Sequence, residues 1–243
     1  MKILLILTLF MVSLYSKDLK IAVASNVSYA IKPLIKEFNK YHKTRVRFVL
    51  GSSGKLTTQI RNKAPYDIFL SANMKYPNAL YKDNLAIKKP KVYAKGSLAL
   101  FSYKNRELTD INIVNSVKHI AIANPKTAPY GKATFEALTK VKLFEKNKRK
   151  FVYAENISQT VQFAMTAADI GFIAKASLYS PKMKKFKKDI NYIDVSPTLY
   201  KPIEQGIAVL NEKKETLEFY NFLFSKSAKK ILKKYGYQVE ENE

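Results

Sequence analysis

Cysteine is absent from all 243 residues, which removes disulfides, thiolate metal sites and a lipid-modified N-terminal cysteine together. Histidine is nearly absent as well. His42 and His119 stand alone among scattered carboxylates, with no ligand spacing of the H-x-x-x-H kind, so a catalytic metal is not expected. Acidic residues are scarce beside basic ones: 19 Asp and Glu face 43 Lys and Arg, a net charge of +24. That balance raises nucleic acid as a partner, but the lysines are spread over every segment. The densest cluster, Lys182 to Lys188, holds a single aromatic, Phe186, and no series of aromatics at stacking spacing, so no nucleic-acid site is expected. A diffuse positive field still raises the encounter rate of a small anion.

Long apolar runs are missing except at the start. Lys2 precedes an apolar run from Ile3 to Val12, followed by Ser13-Leu14-Tyr15-Ser16 and the charged pair Lys17-Asp18. The run is too short to span a bilayer and reads as a signal peptide over 1–16, cleaved near Ser16. The expectation is an exported, periplasmic protein.

Catalytic motifs are missing too. There is no G-x-S-x-G elbow, and Gly51-Ser52-Ser53-Gly54-Lys55 fails as a nucleotide phosphate loop. Only two residues separate its glycines, and Leu56 follows the lysine. No enzyme is expected, and no short internal repeat is found.

What is present is a 47% apolar chain able to bury a full core. Short apolar runs read as strands at Leu19 to Ala24, Arg45 to Leu50, Asp67 to Ser71, Leu98 to Tyr103, His119 to Ala123, Lys150 to Tyr153 and Ile170 to Ala174. Helical patterns lie between most of them, such as Ala30, Leu34, Ile35 and Phe38, and the alternation points to an α/β fold with parallel sheet. Pro33 is expected to kink the first helix in its second turn. Lys213 to Tyr235 reads as one closing helix stopped by Gly236. Two extended, proline-containing stretches, Pro90 to Ser97 and Pro197 to Glu204, divide the chain into an outer portion and a central insert. Two lobes joined by two crossings, with a cleft between them, fit that division.

Four junctions carry the chemistry. IAVA runs into Ser25-Asn26, FVLG into Ser52-Ser53, IAIAN into Pro129-Tyr130-Gly131, and FVYAE into Asn156-Ile157, each a strand turning into a helical pattern. A helix start leaves backbone N–H groups unpaired at the positive end of its dipole. Taken singly, each junction reads as an ordinary N-cap. Together they offer hydroxyl, amide and backbone donors with no acidic acceptor. Phosphate at neutral pH carries a proton that needs an acceptor, whereas a fully deprotonated tetrahedral dianion only accepts. Sulfate, molybdate and tungstate fit such a site better. Asp67 reads as structural at a strand entrance, and Lys55 as a solvent-facing lysine.

In order and spacing, AVASN, GSSGKL-x-x-QI, APYDIFLSA, NPKTAPYG, AEN, IGFIA and AKKILKKYGY resemble the periplasmic molybdate-binding proteins of ABC importers over Ile21 to Tyr237. The resemblance implies a two-lobed, hinge-closing fold, each lobe a mixed sheet flanked by helices. Lobe I is expected at 17–94 plus 203–243 and lobe II at 95–202. It implies molybdate or tungstate as ligand, no cofactor, and a permease with its ATPase as partners of a monomer. Carried over by motif, the ligand positions are Ser25, Asn26, Ser53, and the backbone N–H groups of Tyr130 and Ile157, with Ser52 only shaping its turn. Two positions depart from the family: Ala174 stands where some members place a ligand-binding Tyr, so Asn26 is the candidate substitute donor. Asn73 stands for a common Asp and reads as local capping. The alternatives are another oxyanion such as sulfate, and an anion-sensing ectodomain.

Overall fold

The computed structural model of the chain describes residues 18–240, and the expected signal segment at 1–16 lies outside the described residues. In chain order the strands are β1 (Asp18–Ala24), β2 (Arg45–Gly51), β3 (Ile68–Ser71), β4 (Lys91–Gly96), β5 (Leu98–Phe101), β6 (Ile120–Ala123), β7 (Phe151–Ala154), β8 (Ile170–Ala174), β9 (Tyr192–Asp194) and β10 (Ile203–Val209). The α-helices are α1 (Ile31–Phe38), α2 (Ser53–Arg61), α3 (Lys75–Lys82), α4 (Pro129–Lys140), α5 (Phe144–Asn147), α6 (Ile157–Thr166), α7 (Lys214–Leu223) and α8 (Lys226–Lys234).

The strands form two sheets, in the orders β2-β1-β3-β10-β4 and β7-β6-β8-β5-β9. Within the first, β1 runs parallel to β2 and β3, while β10 is antiparallel to β3 and β4. In the second, β6 is parallel to β7 and β8, and β5 is antiparallel to β8 and β9. Both sheets are therefore mixed. The wholly parallel arrangement suggested by strand-helix alternation gives way because β5 and β10 return along their sheets after the chain crosses between them.

One crossing is the single residue Ser97, between β4 and β5, and the other lies between β9 and β10. Residues 95 and 96 stay in the first sheet, with Lys95 opposite Glu204 and Gly96 opposite Ile203.

Each sheet buries its apolar face against helices. Leu19, Ile21 and Val23 of β1 pack with Ile31, Leu34 and Phe38 of α1 and with Phe219, Leu223 and Leu232 of the last two helices. Ile120 and Ile122 of β6 pack with Leu100, Phe172, Ala137 and Leu138. Full burial of each such large side chain contributes roughly 1.5–3 kcal/mol, so either core stands on many small contributions.

Three local expectations change. α1 begins at Ile31, which puts Pro33 in its first turn, where an absent N–H breaks no intrahelical bond. The closing helix is two helices: Ser225 interrupts it, and its Oγ accepts from Ala228 N at 3.2 Å to cap α8. Gly236, at φ +76°, then ends α8. The first junction opens a three-residue 3-10 turn, Ser25–Val27, instead of a helix. Among the described residues no helix is long and apolar enough to cross a membrane.

Candidate functional site

The parallel strands β1, β2 and β3 of one sheet, and β6 and β7 of the other, end at a common space. Its walls are Ala24, Ser25, Asn26, Gly51, Ser52, Ser53 and Ala72 from the first lobe, and Ala128, Pro129, Tyr130 and Ile157 from the second. All five residues singled out from the sequence lie in this wall. Ser52 and Ala72 join them. Not one of these side chains is a carboxylate, a lysine, an arginine or a histidine, so a molecule of net charge +24 encloses a charge-free cavity.

The donors are arranged by the way each strand ends. At β2, Ser52 is the N-cap of α2 but makes no side-chain cap bond, which leaves the first N–H groups of the helix without a side-chain partner there. Ser53 is fully buried, and its Oγ accepts from Ala72 N at 3.0 Å. A serine oxygen occupied in that way retains its own proton to donate. At β6, α4 opens with Pro129 at its first turn and Ala128 at the cap, again without a side-chain cap bond. Tyr130 N therefore stands among the uncompensated donors of a twelve-residue helix. At β7 the cap is made: Asn156 Oδ1 accepts from Gln159 N at 3.1 Å, so Ile157 N, at the first position, is left for another acceptor. Ser25 is buried in its 3-10 turn.

Asn26 behaves differently from its expected part as a substitute side-chain donor. Its Nδ2 donates to Gln205 Oε1 at 2.8 Å and to Tyr237 Oη at 2.9 Å, which occupies both side-chain N–H groups. Tyr237 Oη in turn donates to the Asn26 carbonyl at 2.9 Å. Only the Asn26 backbone N–H is then left to offer. Burial pushes the Tyr130 phenol well above the ordinary tyrosine range, so the one ionisable side chain in the wall stays neutral at physiological pH.

The lobes touch on both sides of the cavity. Gly54 N donates to Thr127 O at 2.9 Å, and Ser158 Oγ donates to Ser25 O at 2.8 Å. Tyr76 Oη reaches Lys126 O at 3.3 Å, and Lys55 Nζ pairs with Glu155 Oε1 at 2.7 Å. Lys55 is thus exposed but bound across the cleft, not simply facing solvent. A Cβ on Gly54 would sit 3.0 Å from Thr127 O and 2.8 Å from Tyr76 Oη, so the absence of a side chain permits the approach. The space left inside is small. About 10 Å³ is open to the centre of a water, room for roughly one such molecule.

The remaining candidates lie elsewhere. Asp67 is buried at the start of β3, where its carboxylate accepts from Lys20 N, Asn211 Nδ2 and Lys213 Nζ at 2.6, 2.7 and 2.8 Å. Asn73 Oδ1 accepts from Tyr76 N at 3.4 Å beside the start of α3. His42 stacks on Phe38 and meets Glu218 at 3.2 Å, while His119 is largely exposed. Ala174 closes β8 outside the cavity wall. Among the described residues no group of three His, Asp or Glu side chains is placed to hold a metal ion. The sequence reading missed Ser158, Thr127 and Glu155, whose contacts join residues far apart in the chain and carry no local signal.

Known proteins share this fold. The molybdate-binding protein ModA of Azotobacter vinelandii is 33% identical over 231 residues, which cover 92% of this chain and 90% of that protein. ModA of Rhodobacter capsulatus is 33% identical over 226 residues, covering 90% and 87%. The solved structure of the Azotobacter vinelandii periplasmic molybdate-binding protein superposes with a TM-score of 0.84 at 30% identity, covering 92% of this chain and all of that one. The model of the bacterial extracellular solute-binding protein family matches residues 19–238, and the chain belongs to that family.

Proposed function

We propose that this protein binds molybdate outside the cytoplasm and presents it to the permease of an ABC importer, with tungstate accepted alongside. The observation that carries this reading is the charge-free cavity between two lobes, walled by strand ends and helix starts. Ser25 Oγ, Ser53 Oγ and the backbone N–H groups of Asn26, Tyr130 and Ile157 are the donors assigned to the anion. Several neutral dipoles sharing a dianion avoid burying a formal counter-charge. The absence of a wall carboxylate disfavours a ligand that must donate a proton. A tetrahedral oxyanion is larger than the space between the lobes as they stand, and it enters with a small outward movement about the two crossings. The wall holds no nucleophile with an adjacent base, in keeping with binding without chemistry. The signal segment at 1–16, export to the periplasm and a monomeric working state belong to the same proposal. The 33% identity to two molybdate-binding proteins supports it.

Calorimetric titration with molybdate, tungstate, sulfate and phosphate tests the reading. One-to-one binding of molybdate and tungstate, with phosphate inert, is expected. Binding of phosphate alone would end it, and preference for sulfate would move the protein to a different oxyanion.

A further inference from the structure

Gly96 ends β4 where the chain leaves the first sheet, and Tyr130 lies in the first turn of α4 in the second lobe. The two are packed together. A Cβ on Gly96 would overlap the Tyr130 Oη, and would lie 3.2 Å from its Cζ and 3.0 Å from Gln205 Nε2. Tyr130 is 1% exposed; its hydroxyl has the Asn26 amide beside it but makes no hydrogen bond of normal geometry. With the Asn26 Nδ2 already donating to Gln205 and Tyr237, polar bonding does not fix the depth of the ring. Shape does. The backbone of the same residue stands in the cavity wall. From the facing lobe, Asn26 lines the cavity and bonds Gln205, whose amide borders the same spot.

We propose that Gly96 is a positioning residue: its missing Cβ forms a seat for the Tyr130 phenol. The depth of that seat sets how closely the start of α4 approaches Ser25 and Ser53 across the cavity. This rests on the anion-binding reading of the site. Hydrogen bonds weaken steeply with misalignment, so a displaced ring that carries its backbone along reduces what Tyr130 N can offer. The ring is coupled to the N–H through a single side chain, and the seat belongs to the crossing about which the lobes move.

The test compares Gly96→Ala, Tyr130→Phe and the double variant in the whole protein. Gly96→Ala is expected to weaken molybdate binding by about tenfold or more, and to shift the amide resonances of Tyr130 and Gly131 in the protein without added anion. In the Tyr130→Phe background the overlapping oxygen is gone, and the 3.2 Å contact with Cζ and the 3.0 Å contact with the flexible end of Gln205 remain. There the same Gly96→Ala change should cost less than about threefold, with smaller amide shifts. Circular dichroism checks folding, and a Gly96→Ala protein that fails to fold must be restored by the added Tyr130→Phe. Gly96→Ala binding within twofold of the parent, or equal losses in both backgrounds, overturns the proposal. If the parent protein binds none of the oxyanions, the functional reading fails separately. The amide resonances then judge the seat on their own, and unmoved Tyr130 and Gly131 signals in Gly96→Ala reject it.

Discussion

The hydroxyl of Ser53 accepts from Ala72 N at 3.0 Å in a fully buried setting, so its direction is fixed before any ligand arrives. A preset donor loses little freedom on binding, which is where its affinity comes from. Ser53→Ala should weaken molybdate binding by about 10- to 100-fold, the range of a charge-assisted hydrogen bond of roughly 1.5–3 kcal/mol. Calorimetry reads this directly. A Ser53→Ala protein with unchanged affinity would remove the residue from the donor set. Asp67 makes the opposite case among the buried polar groups. It sits at the far end of its strand, held by Lys20 N, Asn211 and Lys213. Replacing it with Ala leaves those donors without their acceptor, and a loss of roughly 3 kcal/mol in urea unfolding is expected, with molybdate affinity preserved in the folded fraction. The place of Asp67 was legible from its position, a carboxylate at a strand start, whereas Ser53 was singled out from Ser52 only by the family resemblance. The engagement of Asn26 was not legible, because Gln205 and Tyr237 lie 179 and 211 residues away.

Three of the four strand ends carry helices of nine to twelve residues whose first turns face the cavity, and the fourth carries a 3-10 turn. On the proposed reading, helix dipoles contribute at α2, α4 and α6, and Ser25 and Asn26 through individual donors. Around these starts run the contacts that hold the lobes together. Lys55 and Glu155 are each about half exposed, at 56% and 52%, so their pair is worth roughly 0–1 kcal/mol. Lys55→Ala should accordingly raise the molybdate off-rate by no more than about fivefold, with the effect vanishing near 0.5 M salt. Stopped-flow dissociation at low and high salt measures it. A loss beyond tenfold that persists at high salt would mean that Lys55 contacts the anion itself. The elements read well from the sequence wherever a run was wholly apolar, as in Ile170–Ala174, which matches residue for residue. They read poorly where polar residues line a strand between packed neighbours. β10 contains Glu204 and Gln205 and follows Pro202, yet it is a strand because β3 and β4 flank it on both sides. The break at Ser225 was equally hidden, since the apolar face continues through it, and an extended Ser225 backbone with its cap bond to Ala228 N separates the helices.

Over the whole molecule, charge and site are separated. Among the described residues no charged side chain lies in the cavity wall, so the positive excess of the chain is expected to act on approach and not on recognition. The molybdate on-rate should fall as salt rises while the off-rate stays nearly constant. Between pH 6 and pH 9 affinity should be flat, because the wall's only ionisable side chain, Tyr130, is held above the usual tyrosine range by burial. Burial also raises Tyr93 and Tyr237. A raised phenol favours the folded state fully below the unfolded value near 10, and that contribution is lost as pH climbs past it. Urea midpoints should therefore hold to about pH 9 and drop steeply above pH 10; a midpoint rising with alkali would contradict the burial of these three rings. The central claim is that one neutral cavity between the lobes takes the oxyanion through hydroxyl and backbone donors. A crystal grown with molybdate, with the metal located by anomalous scattering, tests it most directly. One peak between Ser25, Ser53, Tyr130 N and Ile157 N is expected. A peak held instead by lysines on the surface, with the cavity unfilled at saturating molybdate, would contradict it.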